Sequence, residues 1–220
     1  MNISIEKTVS ELLPSIILGG FLISVEVEES SEELLTLMGN ELKALEPVLT
    51  PESIREMSTV KANKEAYRAL GKDPNRYRPS AESLLRRVAN GKGLYHINNV
   101  VDILNLISVK TGYSICGYDY NTIKGSVSLG KGKEGEPYEG IGRGELNIEN
   151  LPVFRDDSGA FGTPTSDSVR TMVTEKTKQF LMIIIGFDDQ AKISAALDEA
   201  SALYGKFAKG VEKERFFIHS

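Results

Sequence analysis

Hydrophobic spacing along this chain changes period near its midpoint, from a helical repeat to short alternating runs, and then returns to a helix at the end. Residues 2–5 alternate and predict an edge strand, followed by a short amphipathic helix to Leu13. Ile16 to Val27 is rich in β-branched residues and predicts a strand, with Gly19-Gly20 marking a bulge or bend. Ser31 stands as an N-cap before a helix to about Leu45, and Thr50 with Pro51 opens a second helix. A third runs from Thr59 to Leu70 and stops at Gly71. The two prolines in Lys72–Ser80 exclude regular helix there, and Ser80 starts another helix that ends at the Asn90-Gly91-Lys92-Gly93 turn. The run from Asn98 to Asp119 reads as a helix broken at Gly112 and then a short strand.

Residues 120–175 are crowded with Gly, Asp and Asn between short alternating runs: 126–129, 146–148, 152–154 and 169–173. These predict short antiparallel strands joined by turns. Phe180 to Phe187 is a continuous apolar run, the pattern of a central strand buried on both faces. From Asp188 onward, Ile193, Leu197, Ala200, Leu203, Tyr204 and Phe207 recur at helical spacing, ahead of a mobile tail that holds His219. The expectation is a single α+β domain over 1–220, a core of short antiparallel strands flanked by helices.

Three polar residues interrupt the apolar helix: Asn98, Asp102 and Asn105, spaced four and three apart and so along one face. Polar groups beside buried surface need partners. Either they cap and tie the neighbouring turns, or they line a pocket. Asn98, Asn105, Ser108, Asp119, Thr165 and Ser166 are the candidates for such a site. Cys116 is a candidate nucleophile, but neither His96 nor His219 has a motif that sets it beside the thiol, and a lone cysteine between Ile115 and Gly117 also fits a buried small hydrophobe.

Composition narrows the classes. The 220 residues are 40% hydrophobic and 26% charged, ordinary for a soluble globular chain in the cytoplasm, and no window approaches the ~20 apolar residues that span a bilayer. The start lacks the basic opening and cleavage site of a secretory signal. One cysteine excludes an internal disulfide, and two histidines without ligand spacing argue against a metal; no cofactor is implied. Net charge is −5, with acidic ends (Glu26, Glu28, Glu29, Glu32 and Glu33; Asp188, Asp189, Asp198 and Glu199). Between them Lys61, Lys64, Arg68, Lys72, Arg76, Arg78, Arg86, Arg87 and Lys92 face only Glu65, Asp73 and Glu82. Arg76, Arg78 and Arg87 are the candidates for RNA or phosphate contact. Glu82 pairing with Arg86 at i,i+4, or Arg78 pairing with Asp102 or Asp119, is the competing structural use.

The strings GKDPNRYRPSAESLLRRV (71–88) and INNVVDILNLISVKTGYSICGYD (97–119), with the later Thr163-Pro-Thr-Ser-Asp167 and Thr174–Thr177 segments, resemble free-standing relatives of one domain. That domain is the tRNA-binding and editing domain of the phenylalanyl-tRNA synthetase beta chain. The resemblance is strongest over 60–187, with 1–59 adding N-terminal strands and helices and 188–220 a C-terminal helix and tail. It implies an unusual β-sandwich flanked by helices, and hydrolysis of tyrosine wrongly joined to phenylalanine tRNA. It places the family's pocket asparagine at Asn105. Leu104 stands where the family has threonine, Cys116 where it has histidine, and the apolar run around Met182 where it has glutamate. The readings are an aminoacyl-tRNA hydrolase acting in trans, a non-catalytic RNA- or amino-acid-binding module, or a pocket adapted to another small metabolite. The partners implied are tRNA or aminoacyl-tRNA, with a free amino acid or similar molecule as the alternative.

Overall fold

The computed structural model describes residues 1–187 and 189–220, so Asp188 of the late acidic group lies outside the described residues. The first half carries β1 (Ile3–Ile5), α1 (Lys7–Leu12), β2 (Ile17–Ser24), α2 (Glu32–Leu45), α3 (Pro51–Glu56), α4 (Ser58–Leu70), α5 (Ser80–Ala89) and α6 (Asn99–Thr111). Then come β3 (Ser114–Asp119), β4 (Val127–Lys131), β5 (Glu139–Gly140), β6 (Gly144–Glu145), β7 (Pro152–Asp156), β8 (Gly159–Gly162), β9 (Gln179–Gly186), α7 (Gln190–Phe207) and β10 (Val211–His219).

The run at 180–187 forms the expected central strand. β9 lies between β2 and β3 in a sheet of order β10-β2-β9-β3, all antiparallel. Its side chains alternate: Phe180, Met182 and Ile184 enter a core shared with α2, α5, α6 and α7, while Leu181, Ile183 and Ile185 enter a second core. That second core is closed by Leu129, Phe154 and Phe161 of the other sheet, ordered β1-β4-β7-β8, and by Ala66 and Leu70 of α4. The fold is therefore α+β, with two sheets face to face and helices on the outer side of one. Each of these side chains other than Ala66 contributes about 1.5–3 kcal/mol on full burial.

The helices begin where their caps predict. The Ser31 hydroxyl accepts from Leu34 N, and Thr50 and Ser53 form a reciprocal capping box. The Asn98 carbonyl accepts from both Val100 N and Val101 N at the head of α6.

Four expectations need correction. Gly19-Gly20 is no bulge, since β2 keeps its register with β9 and β10 through both glycines. They are required instead by close approach: a Cβ on Gly19 would strike Ile193 and Phe217, and one on Gly20 would strike the Met182 carbonyl and the Phe216 ring. Residues 146–148 and 169–173 are not strands; Val169–Thr171 is a 3₁₀ turn whose Arg170 N is held by the Ser168 hydroxyl. The pairing is not wholly antiparallel, because β1 joins β4 in parallel. The tail is not mobile: β10 adds to the sheet along β2, and the His219 ring bonds Gln190 at 2.8 Å.

Gly20→Ala is expected to lower unfolding free energy by about 1–3 kcal/mol, the penalty for overpacking a filled core. Urea denaturation reads it, and an unchanged midpoint would mean the β9 carbonyl and Phe216 yield without strain.

Candidate functional site

A cavity of about 270 Å³ opens on the helix side of β3 and β9. Its walls come from α5 (Ser80, Leu84), α6 (Val101, Leu104, Asn105, Ser108), β3 (Ile115, Gly117), β9 (Phe180) and the segment after β8 (Thr163, Ser166, Asp167, Met172, Val173). Ile97, Ile141 and Met172 line it while remaining exposed, which gives the mouth an apolar rim. Mostly apolar walls with a few polar groups are the usual form of a small-molecule site.

Local structure explains the shape. A Cβ on Gly117 would press on Leu104 and come within 2.8 Å of Phe180, so glycine keeps this part of the cavity open. The Thr163 hydroxyl accepts from Thr165 N and Ser166 N and folds the turn that follows β8. The Tyr138 hydroxyl donates to Ser166 O at 2.6 Å, Ile141 N to Asp167 O at 2.9 Å, and Ser80 N to Pro164 O at 2.8 Å. Together these fix the turn against α5 and the β5–β6 ribbon.

Several polar atoms here lack partners. Ser80 Oγ, Asp167 Oδ1 and the Tyr118 hydroxyl are enclosed without a hydrogen bond, and the Asn105 side chain makes none to the described residues. Burial pushes the Asp167 carboxyl up to about 7. The nearby Tyr118 hydroxyl and Gly117 amide oppose that rise, although neither Oδ1 nor the Tyr118 oxygen completes a bond of normal geometry. Asp167 is the sole ionisable side chain among the described residues lining the cavity.

Sequence candidates divide accordingly. Asn105, Ser108 and Ser166 line the cavity, although the Ser108 hydroxyl is already donated to Tyr113 O at 2.7 Å. Four others do not. Asn98 is the α6 cap, and Thr165 shares a 2.9 Å hydrogen bond with Tyr67 behind the turn. Asp119 is occupied by Thr177 Oγ1 and Asn121 N. Cys116 sits one residue out of phase with Ile115 and Gly117, so it faces the inter-sheet core, where burial pushes its thiol up and away from thiolate character. Asp102 is likewise structural, accepting from Ser30 Oγ at 2.6 Å and Ile97 N at 2.9 Å. Ser80 and Asp167 were missed as site residues. Ser80 looked like a helix start, yet α5 uses no side-chain cap and leaves its hydroxyl free. The one available signal for Asp167 was a carboxylate closing the turn-rich Thr163–Asp167 segment.

The basic segment has two parts. Glu82, 1% exposed, is ringed by Arg86 Nε at 2.9 Å, Lys64 Nζ at 3.4 Å and Arg78 Nε at 3.7 Å, so Arg78 pairs there and not with Asp102 or Asp119. Three cations on one carboxylate leave the patch positive. Arg76 is exposed and Arg87 stacks on Tyr95 at 3.7 Å, both without an ion pair among the described residues. Tyr95, itself exposed, stands two residues before Ile97 of the cavity mouth.

Two outcomes follow from these charges. Glu82→Gln should destabilise by about 1.5–3 kcal/mol, the range for a hydrogen bond to a charged group, and an unaltered denaturation curve would show that the cations are held by other contacts. Between an unfolded value near 4 and the folded value of about 7, the native Asp167 holds its proton more tightly, so its contribution to stability is lost as pH rises through that window. Asp167→Asn should thus melt close to the wild type at pH 4 and above it at pH 8–9. A melting difference independent of pH would remove the carboxylate as its cause.

No helix among the described residues is long and apolar enough to cross a membrane, and no His, Cys, Asp and Glu cluster among them could hold a metal. Over 128 residues the chain is 30% identical to the Phenylalanine--tRNA ligase beta subunit of Dehalococcoides mccartyi (strain CBDB1), a match covering 56% of this chain and 16% of that protein. An N-terminal fragment of the phenylalanyl-tRNA synthetase beta-subunit from Pyrococcus horikoshii aligns over 99% of this chain and 50% of the fragment, with 12% identity and a TM-score of 0.46. The chain thus spans only a part of each relative. The B3/4 domain model matches residues 62–218, and this chain belongs to the B3/4 domain family.

Proposed function

We propose that this protein recognises the aminoacyl end of an aminoacyl-tRNA, taking the amino acid into the cavity and the RNA onto the adjoining basic face, and hydrolyses the ester of a mischarged tRNA in the cytoplasm. The observation that carries the reading is a partly enclosed apolar cavity with unpartnered polar side chains, whose mouth residue Ile97 stands two residues from the Tyr95 ring on which Arg87 stacks. The family relation supports the same ligand class. Asn105, which the resemblance sets at the family's pocket asparagine, lines the cavity, and its amide is available to orient the ester carbonyl or a water. Arg76 and Arg87 supply phosphate contacts, and the Arg87–Tyr95 stack offers a flat face beside the mouth for an unpaired terminal base.

A non-catalytic binding module is the second reading, and a specific observation favours it. The residue at the family's histidine position, Cys116, faces away from the cavity, and β9 presents only Phe180 to it where a glutamate is implied. A hydrolytic water needs a base within hydrogen-bond reach, and among the described residues Asp167 is the single ionisable group in the wall.

Deacylation of phenylalanine tRNA charged with tyrosine, beside a panel of other mischarged tRNAs, separates the two. Turnover is expected, reduced about tenfold or more in Asn105→Ala with little change in melting temperature. Bound but unhydrolysed tRNA would establish the binding module, and neither binding nor turnover would defeat both. Arg76→Ala with Arg87→Ala should weaken binding and flatten its dependence on salt by about two phosphate contacts.

A further inference from the structure

We propose that Asp167 is the ionic anchor for the α-ammonium group of the cavity's occupant, and that the cavity selects aminoacyl esters or amides with apolar side chains over free amino acids. This rests on the reading of the cavity as an aminoacyl site and names the group that sets its specificity.

The contrast with the other buried aspartates carries the argument. Asp102 accepts from a hydroxyl and an amide, and so does Asp119. Asp156 accepts from Arg170 and from Lys124 N and Ser158 N. Asp167 Oδ1 alone among these carboxylates is enclosed with nothing bonded to it. The titratable groups around it are Cys116 and Tyr118 of β3 and Tyr138 ahead of β5, all held neutral because burial pushes each of them up. None brings a positive charge. An ionised carboxylate in apolar surroundings is strongly unfavourable unless paired, so a cation is the ligand group that gains most here.

An ammonium group also has three donors to place. Asp167, Ser80 and Asn105 all line one cavity, and Asp167 Oδ1 and Ser80 Oγ are acceptors without a partner beneath its surface. Leu84, Val101, Leu104 and Phe180 remain to receive an apolar side chain. Among the described residues no lysine or arginine lines the cavity to receive an α-carboxylate, which Asp167 would repel. A ligand whose carboxyl is esterified or amidated keeps the ammonium and loses the repulsion. Because the unliganded carboxyl is partly protonated near pH 7, pairing with an ammonium should release a proton.

The test titrates the whole protein with L-phenylalaninamide, N-acetyl-L-phenylalaninamide and L-phenylalanine, and with the leucine counterparts, by calorimetry in two buffers of different ionisation heat at about pH 6, where the ligand amine is already charged and the free Asp167 carboxyl mostly protonated. Expected are binding of at least one free-amine amide, at least tenfold weaker binding of its acetylated and free-acid partners, and a proton released on binding. Asp167→Asn should bind the free amine and its acetylated form alike. Equal affinity of the amine and acetylated amides for the wild type overturns the anchor and leaves the aminoacyl site standing. Failure of every amide to bind, with aminoacyl-tRNA still bound or deacylated, overturns the anchor alone; failure of the amides and of aminoacyl-tRNA alike overturns the aminoacyl reading as well. The wild-type comparison decides the matter even if the variant does not fold.

Discussion

Burial of β9 on both faces is the constraint from which the remaining architecture follows. A strand with no polar face must be covered twice, and this chain does so with α2, α5, α6 and α7 on one side and the β1-β4-β7-β8 sheet on the other. Alternation then assigns every neighbouring side chain to one core. Ile115 and Gly117 join Phe180 at the cavity, whereas Cys116 and Tyr118 join Leu181 and Ile183 between the sheets. A slip of one residue in β3 would exchange the two sets. The register depends in turn on β2, whose paired glycines admit the rings of Phe216 and Phe217 from β10.

Against that rigid frame the cavity wall is electrostatically unfinished. Other buried carboxylates are paired: Glu82 is ringed by three cations, and Asp102 ties the loop before α6 to Ser30. Asp167 has no cation beside it among the described residues, and burial raises its carboxyl to about 7. Perturbed groups of this kind cluster where ligands bind, because a polar atom left free in the empty protein is one the ligand can satisfy. The turn that carries Asp167 is itself held by bonds through Thr163, Tyr138 and Ile141.

Membership of the B3/4 domain family relates the chain to part of the phenylalanyl-tRNA synthetase beta subunit. Within this chain, Cys116 is turned into the inter-sheet core and Met182 into the helix-side core. The polar side chains of the cavity come from separate elements: Ser80 at the head of α5, Asn105 of α6 and Asp167 in the turn after β8.

Local signals decided much of the fold on their own. The caps at Ser31, Thr50 and Asn98, the stop at Gly112 and the two-sided strand after Gln179 all depend on a few adjacent residues or one period. Asn105 and the resemblance at 97–119 were legible for the same reason. Tertiary structure decided what those signals could not reach. Whether Gly19-Gly20 bends a strand or receives an aromatic ring depends on Phe216 and Phe217, nearly two hundred residues away. Whether Asn98, Thr165 and Asp119 serve a ligand or their own loops depends on which hydrogen bonds close around them. Sequence by itself fixed which residues alternate and where helices begin, because period and capping are local. The cavity and the orphaned Asp167 carboxyl exist only once α5, α6, β3 and the turn after β8 are brought together, since an unsatisfied group is defined by the partners that folding withholds.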